Sequence, residues 1–264
     1  MNARALWKGV IVLGKTRVPV RLLSAVQERD VHFRLLHAKD HAPVRQRMVR
    51  RDDEGQEVPR DEMRKGYEVE PGVFVIFEKE ELAALQPDES RDIEVAQLVP
   101  RGSVGPYWYE RPYWLAADTG GTADYAALAA ALEKDEHDAV VQWVMRGQKR
   151  VAVLRSHDGR LLLAALRPAD EVVSPKQLEP PAAEEPDAKE LRLAEQLVSA
   201  LEGRFEPDKY RDEYQDRVRQ LVDAKARGRK PPRRAFPRRR RPPASLTSAL
   251  EASLRSAKRG RKSA

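Results

Sequence analysis

Apolar and polar positions in the first two thirds of the chain follow the two-residue period of β-strands. LWKGVIVLG and TRVPVRLLSA, which begin near Ala5, alternate or run apolar, are rich in β-branched residues and have a turn signal between them. VFVIF (Val73 to Phe77) predicts another strand, ahead of a short helix in EKEELAAL, and IEVAQLV (Ile93 to Val99) predicts one more. VVQWVM, KRVAVLRSH and RLLLAALR predict a meander joined by an RGQK turn and by Asp158-Gly159, a dipeptide that favours a tight hairpin. The segment VHFRLL also alternates as a strand. A helix is predicted from about Thr122 through TADYAALAAALEKD, with Gly120-Gly121 as the breaker before it. Many short strands with one or two helices predict a mainly β fold with α content: an antiparallel β-barrel with insertions over residues 1–173.

The pattern changes after Val173. SPKQLEPPAAEEP (174–186) is proline-rich and poor in large apolar side chains, and reads as a linker. Residues 187–228 predict two helices. One carries Leu193, Leu197 and Leu201 between Asp187 and Gly203, and the other carries Tyr210, Tyr214, Val218, Leu221 and Val222 on one face. Residues 229–264 predict a basic, mostly disordered tail, because KPPRRAFPRRRRPP has no apolar face to bury. Near its end Leu246, Leu250 and Leu254 form a stripe that allows a short amphipathic helix.

Charge divides the chain along the same lines. The net charge of +7 conceals +9 over residues 1–51, −16 over 52–224 and +14 over 225–264. Two basic ends around an acidic middle point to a polyanionic partner for particular parts of the molecule, nucleic acid before an anionic membrane surface. With no cysteine among its 264 residues the chain has no disulfide, no thiolate metal site and no cysteine nucleophile. No apolar run approaches the length of a membrane span, so the protein is expected to be soluble and cytoplasmic.

The stretch GVIVLGKT, Gly9 to Thr16, fits the phosphate-loop pattern G-x-x-x-x-G-K-[ST] letter for letter. Its surroundings argue against nucleotide. Only eight residues precede Gly9, Val-Ile-Val-Leu wants an extended pleat, and Pro19 in the alternation after Thr16 predicts a strand where a phosphate loop opens a helix. The segment therefore reads as two strands joined near Gly14.

Lys15, Arg17 and Arg21 share one parity on the second of these strands and so face one side. Arg45, Arg47, Arg50 and Arg51 continue the cationic stretch, and Arg146, Lys149 and Arg150 surround the RGQK turn. Arg233, Arg234, Arg238, Arg239, Arg240 and Arg241 crowd the tail. All are candidate DNA-binding residues, since Lys and Arg give phosphate contacts that carry affinity without sequence information. Other groupings carry no chemistry of their own. His32, His37 and His41 lack the carboxylates of a standard metal site, and Ser156-His157-Asp158 is contiguous and cannot converge as a triad. Tyr107, Trp108, Tyr109, Tyr113 and Trp114 suit a barrel core with a turn at Pro112 better than a platform for frayed bases. No catalytic residue, metal or cofactor is indicated.

RALWKGVIVLGKTRVPVRLLSA, DVHFRLLHAKD, EGQEVPRDEMRKGYEVEPGVFVIFEKEEL, YWYERPYWLAADTGG and LRLAEQLVSALEGRFEPDKYRDEYQDRVRQLVDAK together resemble bacterial Ku proteins, in colinear blocks over roughly residues 4–226. These are the DNA-end-binding components of non-homologous end joining. The resemblance implies a seven-stranded β-barrel with an extended arch and a helical C-terminal section. It also implies a homodimeric ring that threads duplex DNA ends without reading sequence, and recruitment of the ATP-dependent DNA ligase D. Such a protein has no reaction of its own and lives in the cytoplasm with the nucleoid. Where some relatives carry a cysteine pair, this chain has RRDDEGQ. The alternative is a basic DNA-compacting protein that acts through its tail alone.

Overall fold

The computed structural model describes residues 4–52, 55–179, 187–229 and 246–262. It begins with a hairpin, β1 (Trp7–Leu13) and β2 (Thr16–Ser24), paired from Trp7↔Leu22 to Leu13↔Thr16. GVIVLGKT is thus one strand, its turn and the first residue of the next strand. Gly9 is glycine because a Cβ there would meet the Trp7 indole at 2.0 Å and the Arg91 carbonyl oxygen at 2.5 Å. Gly14 holds the positive φ of 58° that the turn requires. Lys15 is the exposed second turn residue.

The remaining elements of this half are β3 (Lys65–Glu70), β4 (Val73–Phe77), α1 (Lys79–Ala84), β5 (Asp92–Pro100), β6 (Tyr109–Ala117), α2 (Thr122–Lys134), β7 (His137–Met145), β8 (Gln148–His157) and β9 (Arg160–Leu166). Seven strands close a barrel in the order β1-β2-β6-β9-β8-β7-β5. Six of its seams are antiparallel. The seventh departs from the antiparallel expectation: β1 and β5 run parallel, from Val10↔Asp92 to Val12↔Glu94. A parallel neighbour needs a long crossover, and residues 25–91 supply it.

Alternation sends one side of each strand inward. Ile11, Val18, Val20, Leu22, Ile93, Val141, Trp143, Leu154, Leu161 and Leu163 are at most 2 % exposed and fill the barrel with Ala139, Ala152 and Ala165. Ala129 and Leu132 of α2 join this core. The Tyr125 hydroxyl fastens α2 to the barrel wall, donating to the Leu115 carbonyl at 2.7 Å and accepting from the Leu161 N–H at 2.8 Å.

Pro112 is not a turn residue as the sequence suggested: it lies within β6, opposite Ala164. Its missing N–H is tolerated because the β2·β6 ladder ends one residue earlier, at Ser24↔Tyr113, and a bulge between Tyr109 and Arg111 lies on the other side. Pro19 stands just beyond the opposite end of that ladder, which closes at Val20↔Ala117. β3 was also missed in the sequence. Pro71-Gly72, with Gly72 at φ 82°, turns it into β4, a signal visible in the Pro-Gly dipeptide.

The described residues form two compact units: those up to Arg29 together with Arg34–Gln177, and Asp30–Phe33 together with those from Leu178 onward. The second holds α3 (Ala188–Leu201), α4 (Glu213–Ala226) and α5 (Leu246–Lys262). Asp187 caps α3 by accepting from the Lys189 and Glu190 N–H groups, and Asp212 does the same for α4 at Tyr214 and Gln215. Tyr210 precedes α4 and does not share its face, because Pro207–Lys209 form a separate single turn. α5 packs on α3, with Leu254 buried and the Thr247 hydroxyl 3.3 Å from the Glu190 carboxylate. The VHFRLL strand does not form. The Gln215 amide holds that segment instead, accepting from the Val31 N–H and donating to Asp30, each at 3.1 Å. Residues 180–186 of the linker and 230–245 of the tail, with Arg233, Arg234 and Arg238–Arg241, lie outside the described residues.

Candidate nucleic-acid interface

The insertion between β2 and β5 leaves and returns on the two sides of β1, at the same end of the barrel. Leu6 donates to the Leu22 carbonyl on one side, and Val10 donates to the Arg91 carbonyl on the other, each at 2.8 Å. Between these feet the chain makes two isolated bridges, Leu36↔Pro43 and Val49↔Glu57, the β3–β4 hairpin and α1. Almost every described side chain from Val26 to Ile76 is exposed, which is what an excursion from a barrel without its own core produces.

Cations lie along this path. On β2, Arg17 and Arg21 project from the outer face on either side of Pro19, as parity predicted, while Val18, Val20 and Leu22 point inward. Each meets a carboxylate. Arg17 grips Asp92 with Nη2 at 2.7 Å and Nη1 at 3.4 Å. Arg21 lies 3.6 Å from Asp118, a carboxylate shared with Lys8 at 3.1 Å. The Lys8 ammonium, seconded by the Thr119 N–H, holds the Asp118 carboxyl below its ordinary pKa, so it stays ionised. Lys15 stands at the β1–β2 turn, at the far end of β1 from the insertion, and has no ion pair among the described residues.

In the insertion, Arg47 pairs with Glu57 at 3.1 Å and Arg50 forms a fork with Asp52 at 3.0 and 2.7 Å. Arg45 and Arg51 are exposed and make no ion pair among the described residues. The RGQK turn is a two-residue hairpin in which Arg146 and Gly147 both take positive φ, 54° and 70°. Gly147 packs on Gln86, which sets this turn beside the returning foot. Arg150 reaches Glu110 at 3.4 Å, while Lys149 and Arg146 make no ion pair among the described residues.

Exposed pairs of this kind contribute little to stability, about 0–1 kcal/mol each. They hold long side chains extended on the surface, and the forks that Arg17 and Arg50 make with carboxylates have the geometry that also suits a phosphate group. The predicted cations fall into three groups: the β2 face with Lys15, the insertion, and the β7–β8 turn at the returning foot. His37 is taken up by Asp40 at 2.7 Å, and no cluster of metal-ligating side chains occurs among the described residues.

The sequence did not reveal the apolar surface of the insertion. Phe33, Leu35, Met48, Tyr67, Phe74 and Ile76 are all more than half exposed. β3 and β4 carry apolar groups on both faces, with Phe74 and Ile76 on one and Tyr67 and Val75 on the other. The barrel wall, among the described residues, exposes only scattered apolar residues such as Leu98 and Val151. Also missed was the ion pair of Asp138 with Arg155, two residues outside any basic cluster. Among the described residues no helix is long and apolar enough to cross a membrane.

Comparison with known proteins agrees with this geometry. The family model described as the Ku70/Ku80 β-barrel domain matches residues 12–193. The chain is 37 % identical over 258 residues to a protein named Non-homologous end joining protein Ku from Anaeromyxobacter sp. (strain K), covering 97 % of this chain and 87 % of that one. A protein of the same name from Solibacter usitatus is 34 % identical over 260 residues, 98 % of this chain and 96 % of its own length. Another, from Archaeoglobus fulgidus, is 34 % identical over 227 residues, covering 86 % and 89 %. A closed seven-stranded barrel interrupted by a long excursion with an arginine cluster, and a family match over most of its length, make this chain a member of the Ku family.

Proposed function

We propose that two copies of this chain form a ring around the end of double-stranded DNA, without sequence preference, and bring a repair ligase to the break in non-homologous end joining. The observation that carries the reading is the insertion at residues 25–91. Both its feet stand at one end of the barrel, it bears Arg45, Arg47, Arg50 and Arg51, and it contains a hairpin with apolar groups on both faces. A loop so rooted, closed by its counterpart on a second copy, encloses a hole lined by Arg17, Arg21 and the insertion's cations. Phosphate contacts from exposed guanidinium groups are individually weak and alike at every step of the duplex, which suits threading from an end. The names of the relatives place them in non-homologous end joining.

The test compares binding to linear and covalently closed circular duplexes of equal length, near physiological salt. It uses the full chain with Arg233, Arg234, Arg238, Arg239, Arg240 and Arg241 all changed to Gln. A strong preference for the linear form is the expected result. Equal binding to both forms, or no binding once those arginines are gone, would mean that the tail and not the ring holds DNA.

A further inference from the structure

A cleft of about 680 Å³ opens on the barrel surface where β2, β6 and the β8–β9 turn meet α2. Its wall is aromatic. Trp114 projects from the outer side of β6 between the buried Tyr113 and Leu115, and the His157 ring lies near it, centroids 6.4 Å apart and planes 27° apart. Ala116 on the same face and Leu23 on the neighbouring strand leave the floor low and apolar. Arg160 lines the rim, exposed, with no ion pair among the described residues. Arg21, opposite Ala116 across the β2·β6 ladder, lies on the same barrel face with its guanidinium taken up by Asp118. The one carboxylate in the lining, Asp158, lies 3.8 Å from His157 Nε2.

This cleft is held in shape before anything enters it. Glu133 of α2 accepts from the Ser156 hydroxyl and the Gly159 N–H, both at 3.0 Å, and so pins the β8–β9 turn. The Tyr125 hydroxyl bridges β6 and β9 behind Trp114. A flat aromatic wall, an open apolar floor and an unpartnered guanidinium at the rim are what a nucleobase with its phosphate requires. The volume falls within the roughly 300–1,000 Å³ of small-ligand clefts. In a duplex both faces of an internal base are already stacked, so only an unpaired base offers a face to Trp114.

We propose that this cleft takes an unpaired base from the single-stranded overhang of a broken DNA end, with Trp114 stacking on the base and Arg160 meeting its phosphate. The proposal rests on the end-binding reading above: it assigns to the barrel a site for overhangs beside the cations that hold the duplex. An acidic, aromatic peptide is the competing occupant; Asp158 in the lining repels the charge of either, and the neighbourhood of the duplex-binding cations favours the base.

The test uses the full chain and a duplex with a four-nucleotide overhang carrying 2-aminopurine at its first unpaired position, beside a blunt duplex of the same sequence. Binding by the parent chain is expected to quench the 2-aminopurine fluorescence. Trp114→Leu is expected to abolish the quench and weaken overhang binding by about tenfold, the lower part of the range for one stacked base, while blunt-duplex binding stays unchanged. Arg160→Gln, at an exposed position that leaves the core untouched, is expected to weaken only the overhang complex. Failure of the parent chain to bind the blunt duplex would remove the end-binding reading itself. Normal blunt binding with no quench, or with both variants indistinguishable from the parent, overturns the overhang site and leaves the end-binding reading standing.

Discussion

Asp138 is fully buried in the barrel wall, and Arg155 neutralises it through two hydrogen bonds, Nε to Oδ1 at 2.8 Å and Nη2 to Oδ2 at 2.5 Å. The Tyr109 hydroxyl stands 3.2 Å from the same guanidinium. Removing one partner of such a pair strands a charge, at a cost of about 3–5 kcal/mol, whereas removing both does not. Arg155→Met is therefore expected to lower stability to urea by roughly that amount, and adding Asp138→Asn should return a large part of the loss; equal stability of the two variants would show that the pair is not coupled. Glu133 gives a pH-dependent counterpart. The Gly159 N–H and then the Ser156 hydroxyl hold its carboxyl below the ordinary value of 4.5. A depressed carboxyl contributes stability that is complete above the unfolded pKa and is lost as pH falls through the folded one. The parent is expected to lose stability below about pH 4.5 more steeply than Glu133→Gln, read from unfolding curves at successive pH values. At this scale the sequence revealed direction but not partnership. The outward parity of Arg17 and Arg21 is plain from alternation, but Asp92 lies 75 residues away from Arg17, and no local pattern connects them.

Elements form where local signals agree and shift where tertiary contacts outweigh them. Asp158-Gly159, with both residues at positive φ, makes the hairpin its dipeptide predicts. The Arg146-Gly147 turn has the same backbone, but arginine is poorly suited to a φ of 54° where Asn is favoured. A cation retained at a conformational cost suggests a use for its charge. Arg146→Asn is expected to raise stability by about 0.5–1 kcal/mol and to weaken DNA binding; weaker binding without the gain in stability would leave the turn unstrained. β6 escaped detection because Pro112 argues against a strand unless the neighbouring ladder is known to have ended. The VHFRLL alternation was sound as a local signal, but the Gln215 amide, distant in sequence, takes the Val31 N–H that a ladder would use. α5 and α3 support one another in the same way. Helices of 14 and 17 residues are marginal alone, so Leu254→Asp is expected to increase amide hydrogen exchange in both, where a change confined to α5 would show that α3 stands without it.

At the scale of the whole molecule the barrel is self-sufficient and the insertion is not. The barrel was legible because its strands bury one face each, and burial writes a period into the sequence. The insertion has little periodicity because almost nothing in it is buried within one copy. Its hairpin shows this most clearly. A two-stranded sheet is marginal by itself, and this one exposes Phe74 and Ile76 on one face and Tyr67 and Val75 on the other, between 45 % and 67 % of each. A sheet apolar on both faces is satisfied only when both are covered, and the barrel core, already filled, does not reach it. Under the proposed ring, a second copy provides the cover, and the hairpin determines both the dimer and the closure around DNA. Ile76→Lys places a charge at the centre of that surface without touching the barrel. The dimer dissociation constant is expected to rise about thirtyfold or more, the ~2 kcal/mol of a buried hot spot, by sedimentation velocity across a concentration series. The preference for linear over closed circular DNA should fall with it, while the thermal unfolding of the barrel stays where it was. A variant that remains dimeric with its end preference intact would place the dimer interface elsewhere, and the exposed hairpin would then need another partner.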